Sequence, residues 1–594
     1  MPIFDKPSKF SLPMTVTSLL LGAVILTACA TPTATDATDA AASSSSAITD
    51  VDATLTAEAV LAANEDATTT NDDEWSMDDA VEITLDGDTA TSDSDNVTID
   101  GSTVTITAAG TYVLSGTLDD GQVVVDSTDD GVVALVLDGA DISSTPGPAI
   151  TVTTATNAVV SLAEGSENTL SDASSYDDTA DANAALYADS DLTITGSGSL
   201  TVNGNGNDGI TSTDDLVILS GTITVTAADD GLRGKDSLTV EGGDITVTAA
   251  GDGLKSDQDE DDTRGYITVE GGTIDVTATG DGFDAETDLV ITGGTVTVAA
   301  GGGASEEVTD TSTKGLKGGT YVIVEGGTVI VDASDDAVHS NGAIHLGGDA
   351  DITLASGDDG VHADIALLVD GGTVAVTESS EGLESATITI ADGTVDVTSS
   401  DDGLNASAGT TTTTDAGGAG GGMDSAGAEM IYITGGDTTI HANGDGFDSN
   451  GSAEVSGGTF TVYGPTNDGN GALDVNGTLE VSGGTMLAVG SSGMAVSPDE
   501  DSAQGFFAAT ASGDAGSVVQ IQDADGTVIA SFTSEKQFSS VVYSSSDLVA
   551  DAEYTIVVDG SEAGTATEGV AATGGMGGGG GGGQMPGGAT PPSR

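Results

Sequence analysis

Short apolar segments alternate with turns rich in glycine, threonine and aspartate along most of the chain. Within a segment the apolar residues occupy every second position, as at Ile245 and Val247 or at Val296 and Val298. This period of two is typical of β-strands with one buried face, because successive side chains of a strand point to opposite sides. The pattern therefore predicts an all-β fold with little helix.

An acidic residue, a small residue and an apolar residue recur as a triplet about every 22 residues. The triplets begin at Asp208, Asp230, Asp252, Asp281, Asp336, Asp359, Glu381, Asp402 and Asp445. A variant triplet starts at Lys314, and Gly-Gly pairs such as Gly242-Gly243 keep step with the repeat. Three short strands and three turns fill about 22 residues, which predicts one coil of a parallel β-helix.

Residues one period apart become nearest neighbours when the coils of such a solenoid stack. The third residue of each triplet should then form a column that points into the core. Its members are Leu232, Leu254, Phe283, Leu316, Val338, Val361, Leu383, Leu404 and Phe447.

The acids that open the triplets form a second predicted column, here called the acid column. Like charges stacked about 4.8 Å apart repel by roughly 3 kcal/mol per pair at an effective dielectric near 20, so something should offset this cost. Any single acid is explained as the cap of its turn. For the column as a whole we expect at least one Ca²⁺ site. The candidate ligands are Asp230, Asp252, Asp281, Asp284, Asp336, Asp359, Glu381, Asp402 and Asp445.

A further column, here called the second column, lies three residues after each triplet acid. Its members are Arg233, Lys255, Asp284, Lys317, His339, His362, Glu384, Asn405 and Asp448. Scarce basic residues crowd into it, either to compensate the neighbouring acids or to pair with the carboxylates of an acidic sugar polymer. The candidate ligand-binding residues are Arg233, Lys235, Lys255, Lys317, His339 and His362. No catalytic residue stands out from the repeat.

The first 75 residues predict export and attachment to a membrane. Lys6 and Lys9 precede an apolar run that is too short to span a bilayer, and Cys29, the only cysteine, ends the segment Leu-Thr-Ala-Cys. This resembles the signal of bacterial lipoproteins, which implies a signal peptide over 1–28 and a lipid on Cys29. Residues 29–75 are rich in Ala, Thr, Ser and Asp, which predicts a disordered tether.

The repeat predicts a β-helix over 76–500, and the period is lost after it. Strand-like runs such as 517–522, 527–532 and 554–558 predict a small β cap over 501–562. The glycine-rich end predicts a flexible tail over 563–594.

Composition narrows the possible partners. The chain has 97 Asp and Glu against 10 Lys and Arg, a formal charge of -87, so nucleic acid is excluded as a partner by repulsion from phosphate. The acidity suits divalent cations, or it reflects a saline habitat. Aromatic residues are 3% of the chain, so stacking platforms for neutral sugars are few. We expect a monomer.

Several ordered sequence blocks resemble the bacterial carbohydrate-binding β-helix lipoproteins, a family with clostridial members. They include GTYVLSG from Gly110, LAEGSENTLSD from Leu162, GNGNDGITSTDDL from Gly204 and DDGLRGKDSLTVEGGDITVTAAGDGLKSD from Asp229. The resemblance implies a right-handed parallel β-helix, bound calcium, and affinity for polygalacturonate and cellulose without established catalysis. The present chain departs from the family in being far more acidic.

Three functions remain open from the sequence. We favour non-catalytic, calcium-assisted binding of acidic or plant cell-wall polysaccharide at the cell envelope. The first alternative is a calcium-dependent polysaccharide lyase, in which Arg233, Lys235 or Lys255 removes a proton made acidic by Ca²⁺. The second is a structural or adhesive rod on the envelope.

Overall fold

The computed structural model describes residues 51–177, 179–309, 311–408 and 426–571. In these ranges the chain winds into stacked coils whose strands pair in parallel with those of the coils before and after. The predicted all-β class and the parallel β-helix are confirmed. One helix, Ala57–Leu61, occurs among the described residues, and none of them forms a helix with the length and hydropathy of a membrane span.

Each coil contributes one strand to each of three faces. The first face is a 16-stranded sheet whose members in the regular coils are only three residues long. Its strands are Val97–Asp100, Thr103–Ile106, Gln122–Asp126, Ile150–Thr154, Ala184–Ala188, Asp208–Ser212, Leu232–Gly234, Leu254–Ser256, Phe283–Ala285, Leu316–Gly318, Val338–Ser340, Val361–Ala363, Leu383–Ser385, Leu404–Ala406, Phe447–Ser449 and Asp474–Val475.

The second face follows the first along each coil. Its strands are Asn157–Leu162, Leu192–Gly196, Asp215–Ile218, Ser237–Val240, Tyr266–Val269, Asp288–Ile291, Tyr321–Val324, Ala343–Leu346, Met430–Ile433, Ser452–Val455 and Leu479–Val481. Five longer strands run through both the second and the third face and join them into one sheet. They are Val81–Gly87, Gly110–Leu118, Val132–Ser143, Ala366–Glu378 and Thr387–Thr398.

The third face completes the coil. Its strands are Glu167–Ser171, Ser199–Gly204, Thr222–Ala227, Asp244–Ala249, Thr273–Ala278, Thr295–Ala300, Thr328–Ala333, Asp351–Ser356, Asp437–His441, Thr459–Tyr463 and Thr485–Gly490. A short strand, Thr89–Thr91, pairs antiparallel with Val81–Gly87 at the amino-terminal end.

One continuous apolar core fills the space between the three faces. All nine residues of the predicted inward column are fully buried. They follow one another in register, as Leu232, Leu254 and Phe283 do, so each packs against its equivalent in the next coil. Burying a side chain of this size contributes about 1.5–3 kcal/mol, which explains why the apolar period is kept over so many coils.

The glycine of the triplet is required by close packing between coils. A Cβ on Gly253 would lie 2.3 Å from Val276 Cγ1 and 2.5 Å from the carbonyl oxygen of Gly282 in the next coil. The coil with Ala337 at this position is an exception, and there the third face offers Leu354 in the register of Val331. Valine has two Cγ atoms and leucine has one, so Leu354 leaves room for the methyl group of Ala337.

The segment 51–72, here called the strap, corrects the prediction of a disordered tether up to residue 75. It lies against the second face, where Ala57 N donates to Glu325 Oε1 at 3.0 Å and Thr68 N donates to Asp215 Oδ2 at 2.8 Å. Val60 packs against Val290 and Ile323 in a small apolar cluster. These contacts, rather than a hydrophobic pattern in the strap, order it. Cys29 and the predicted signal peptide lie outside the described residues.

The carboxyl end of the β-helix is closed by antiparallel strands, as predicted. Phe506–Gly513 and Phe538–Ser544 pair with one another, and the second of them pairs with Thr485–Gly490. A separate four-stranded sheet is formed by Val528–Thr533, Val518–Gln522, Glu553–Val558 and Ser561–Thr567. The cap thus continues to Thr567, past the predicted boundary at 562. Its last strand is held by pairing with Glu553–Val558, and its own sequence lacks the alternating apolar residues that predict a strand.

The substitution Gly253→Ala should destabilise the β-helix by about 1–3 kcal/mol, because the new methyl group overpacks the contact with Val276 and Gly282. Adding Val276→Leu, which copies the pairing of Ala337 with Leu354, should recover part of the loss. Urea unfolding curves measure both effects. Gly147→Ala is the matched control, since no atom lies within 4 Å of its added Cβ. Equal midpoints for Gly253→Ala and Gly147→Ala would contradict this account.

Candidate functional site

The acid column and the second column run side by side along the first face. Strand register joins each second-column residue to the next, as in Arg233 with Lys255 and His339 with His362. The column continues one coil further than predicted, because Asp448 pairs in register with Asp474. Sequence reasoning missed Asp474 because Gly471 stands where its coil should carry the triplet acid.

Backbone amides of neighbouring coils bind one oxygen of most column acids. The residue that follows in the column donates its N–H to the acid before it. The observed pairs are Asp252 N to Asp230 Oδ1 at 2.9 Å, Asp281 N to Asp252 Oδ1 at 2.8 Å, Lys314 N to Asp281 Oδ1 at 2.7 Å, Asp359 N to Asp336 Oδ1 at 3.2 Å and Asp445 N to Asp402 Oδ1 at 2.6 Å. Each acid therefore caps the turn of the next coil and leaves its second oxygen for another partner.

Lysines bind the second oxygen in the amino-terminal part of the columns. The ammonium of Lys255 lies 3.2 Å from Asp230 and 2.7 Å from Asp252. Lys317 lies 3.3 Å from Asp281 and 2.8 Å from Asp284. These second-column lysines are thus already paired with the acids that the sequence analysis assigned to calcium.

The other basic residues of this region are paired in the same way, with one exception. Lys314, which replaces the acid of its triplet, lies 2.9 Å from Asp335 and 2.8 Å from Asp336. Arg233 binds Asp257 at 2.7 Å. For Lys235 the described residues supply no ion pair. Most basic residues of this region therefore neutralise neighbouring acids, which is one of the two roles that the sequence left open.

Two histidines lie next to each other in consecutive coils at the end of the basic region. His339 Nδ1 lies 2.8 Å from Asp336 Oδ2, and His362 Nδ1 lies 2.9 Å from Asp359 Oδ2. Burial opposes protonation of His362, but the surrounding carboxylates outweigh it and raise the pKa of His362 to about 11. Lys314 and His339 together hold the pKa of Asp336 below its ordinary value despite its burial.

Beyond His362, the described column acids have no Lys or Arg within ion-pair distance. The sequence has no Lys or Arg between Lys317 and Lys536. The residues Glu381, Asp402, Asn405, Asp445 and Asp448 are here called the acidic segment.

Burial and mutual repulsion dominate the electrostatics of the acidic segment. Burial, reinforced by neighbouring acids, raises the pKa of Glu381 and of Asp448 to about 7 and that of Asp402 to about 6. Asn405 donates a hydrogen bond to Glu381 Oε2, yet its own buried Oδ1 has no hydrogen-bond partner among the described residues. The segment therefore combines surplus negative charge with an unsatisfied carbonyl oxygen.

The arrangement is an open stripe rather than a closed cavity. Second-column side chains are partly exposed, as shown by 20% for His362 and 16% for Glu384. A cavity of about 230 Å³ lies away from this stripe, between the strap and the second face, near Asp215, Asp236 and Arg264. A stripe of this kind suits an extended ligand that contacts several coils.

Comparison with known proteins gives three similarities. A family model described as carbohydrate-binding domain-containing protein matches residues 100–360 and 358–547. A carbohydrate-binding domain-containing protein of Acetivibrio thermocellus is 38% identical over 126 residues, which are 20% of this chain and 44% of that protein. The chain thus spans under half the length of this curated relative. The solved structure of a polysaccharide lyase-like protein from C. thermocellum, a gadolinium derivative, is 38% identical, covering 38% of this chain and 92% of the other, with a TM-score of 0.37.

The raised pKa values predict that the folded protein loses stability as the pH rises. In an unfolded chain Glu and Asp titrate at about 4, whereas Glu381, Asp402 and Asp448 titrate at about 6 to 7 when folded. The native state therefore binds more protons between these values, and its free energy of unfolding falls through this window. Melting temperatures in a chelating buffer from pH 5 to pH 8 should decrease.

A matched pair of variants separates this effect from general charge repulsion. Asp448→Asn should flatten the decrease because it removes one partly buried group that titrates in this range. Asp396→Asn removes the same formal charge from an exposed position on a long strand and should leave the slope unchanged. A wild-type melting temperature that is constant or rises over this range would contradict the assignment.

Proposed function

The chain belongs to the family of carbohydrate-binding domain-containing proteins, and we propose that it captures an acidic polysaccharide through calcium ions held on its first face. The polymer class that fits best is a polyuronate such as polygalacturonate. The observation that carries the proposal is the acidic segment. There, among the residues that the structure describes, the stacked carboxylates have no Lys or Arg partner and the buried Oδ1 of Asn405 has no hydrogen-bond partner.

Calcium matches the chemistry of the acidic segment. Ca²⁺ takes six to eight oxygen ligands from carboxylates, side-chain amides, carbonyls and water in flexible geometry. Glu381, Asp402 and Asp448 supply carboxylates, and Asn405 supplies the amide oxygen. Burial is the main cause of the raised pKa of these acids and repulsion between them adds to it. A bound dication would offset both effects, because it stabilises the ionised carboxylates.

An anionic polymer is reconciled with this acidic surface by bridging ions. A calcium ion with open coordination positions can bind a protein carboxylate on one side and a uronate carboxylate on the other. Direct capture by Arg233, Lys255 or Lys317 would have to displace the ion pairs that these residues already make. Lys235, which has no such pair among the described residues, is the basic residue best placed to assist.

Neutral glucans are a weaker fit to the same face. Their recognition usually relies on stacking against the flat rings of Trp, Tyr or Phe, and none of these residues occupies the second column. Cellulose binding, which the family resemblance implied, would therefore depend on hydrogen bonds alone.

We also propose that the protein is exported and anchored through a lipid on Cys29. The support is the basic start, the short apolar run and the position of the only cysteine. The strap then connects the anchored end to the second face, and the first face stays open to the surroundings of the cell.

Binding without cleavage is the function we propose. A lyase needs a base positioned at the sugar, and Arg233 instead donates two hydrogen bonds from its guanidinium to Asp257 Oδ2. Lys255 is held between two column acids. Neither residue is free to take a proton from a substrate.

Affinity electrophoresis in gels that contain polygalacturonate tests the calcium-bridged mode. Migration of the full chain should be retarded when Ca²⁺ is present and should return to normal when a chelator is added. The double variant Asp402→Asn with Asp448→Asn should lose most of the retardation, whereas Asp396→Asn, an exposed acid on another face, should retain it. Retardation that persists in chelator would remove calcium from the mechanism.

Incubation of the pure protein with polygalacturonate and Ca²⁺ tests the absence of cleavage. We expect no increase in the ultraviolet absorbance that marks unsaturated products of β-elimination. Lys235 is the basic candidate for which the described residues supply no ion pair. Product formation that disappears in Lys235→Ala would replace the binding function with the lyase alternative.

A further inference from the structure

Two of the four histidines of the chain occupy consecutive positions of the second column. The rings of His339 and His362 have centroids 5.1 Å apart. Each ring places Nδ1 against the acid of its own triplet, Asp336 or Asp359. This pattern of imidazole beside carboxylate occurs at no other pair of described column positions, and it lies where the basic part of the columns gives way to the acidic segment.

The groups around His362 converge on one point. Asp359 Oδ2 lies 2.9 Å and Glu384 Oε2 lies 3.8 Å from His362 Nδ1, and all three atoms lie within 4.8 Å of one another. Ligand atoms of a tetrahedral zinc ion, with bonds of about 2.1 Å, lie about 3.4 Å apart. The observed separations fall on either side of this value, so small side-chain rotations would bring the three atoms to ligand distance.

The second nitrogen of His362 faces the exposed carboxylate of Asp364. Its Nε2 lies 3.5 Å from Asp364 Oδ1. Histidines that ligate a metal usually donate their other ring N–H to a carboxylate or carbonyl, which fixes the ring and its tautomer. Asp364 therefore directs Nδ1, rather than Nε2, toward Asp359 and Glu384.

The triad of Asp359, His362 and Glu384 differs from the other acid clusters of the first face. The cluster of Asp252, Asp281 and Asp284 already contacts the ammonium groups of Lys255 and Lys317. Lys314 likewise binds Asp335 and Asp336. Each of the two remaining clusters contains Asp336, so both already have a basic partner. Among the described residues, no lysine or arginine lies within 4.0 Å of a carboxylate of the Asp359 triad. The basic group of the triad is the imidazole of His362 itself, so a metal ion would bind Nδ1 in place of the proton that now faces Asp359 and Glu384.

We propose that Asp359, His362 and Glu384 bind one divalent transition-metal ion of the zinc class, separately from the calcium of the acidic segment. An imidazole nitrogen with two carboxylate oxygens suits Zn²⁺ and its neighbours in the transition series, whereas Ca²⁺ prefers oxygen ligands throughout. Partial exposure of His362 and Glu384 leaves space for water to complete the coordination shell. The ion would join two successive coils at the border between the two halves of the column.

Equilibrium dialysis of the metal-free full chain against Zn²⁺ tests the site. Millimolar Ca²⁺ is present throughout, so that weak binding to the many surface acids is suppressed. We expect one tightly held Zn²⁺ per chain. His362→Gln should weaken that binding by more than tenfold, and Asp364→Asn should weaken it by about tenfold through loss of ring orientation.

The matched control is His339→Gln, which changes the neighbouring histidine of the same column. It should leave zinc affinity within about threefold of the wild type, because Lys314 already neutralises its partner Asp336. Circular dichroism melts verify that each variant is folded. Co²⁺ in place of Zn²⁺ should give intense visible absorption bands of tetrahedral coordination in the wild type and His339→Gln but not in His362→Gln.

Two results would overturn the proposal. One is zinc binding that is equal in the wild type and in folded His362→Gln. The other is a Zn²⁺ signal that millimolar Ca²⁺ abolishes, which would mean that only the general acidity of the surface binds the ion. Polysaccharide retardation plays no part in this experiment, so loss of the proposed calcium-dependent function would leave the outcome for zinc unaffected.

Discussion

Parallel stacking of equivalent residues is the constraint from which the rest of this protein follows. Hydrogen bonding between coils sets a spacing of about 4.8 Å, so any residue type kept at one position of the repeat becomes a continuous column. For apolar residues such as Leu254 and Phe283 the result is a favourable core. For Asp252 and Asp281 the same stacking places like charges beside one another, and every coil needs a means of relieving that repulsion.

The protein relieves it in different ways along its length. A backbone N–H from the next coil donates a hydrogen bond to one oxygen of most column acids, so these aspartates cap the turns. In the amino-terminal part, lysines such as Lys255 and Lys317 take the other oxygen. Past His362 the sequence has no Lys or Arg before Lys536, and burial together with repulsion from neighbouring acids raises the pKa of Glu381. The same fold thus presents a neutralised half and a half that attracts cations.

The columns could be predicted from the sequence because they depend only on the period. Register, the inward residues and the side-by-side placement of the acid column and the second column all follow once the length of a coil is known. The pairing within the columns could not be predicted in the same way. Lys255 stands near several acids in the repeat, and its choice of Asp230 and Asp252 depends on side-chain geometry. Asp474 was missed for a simpler reason, since its coil lacks the acidic marker.

The strap shows a different limit of sequence reasoning. Its Ala, Thr and Asp residues carry no strand or helix period, so composition alone predicts a disordered segment. Its order comes from the partner surface, which supplies acceptors such as Glu325 and Asp215 for its backbone amides and a small apolar patch for Val60. Such a fit is visible only when the second face is already assembled.

The position of the strap also bears on where a polymer can bind. Its contacts run along the second face from Tyr321 to Thr193, so an extended chain that approached these coils from that side would have to displace it. The first face carries the partly exposed second column and no such covering segment among the described residues. A polymer bound on the first face, as proposed, would not have to displace the strap. It would lie beside the acidic segment, where bridging cations would offset the repulsion between the acidic polymer and the protein.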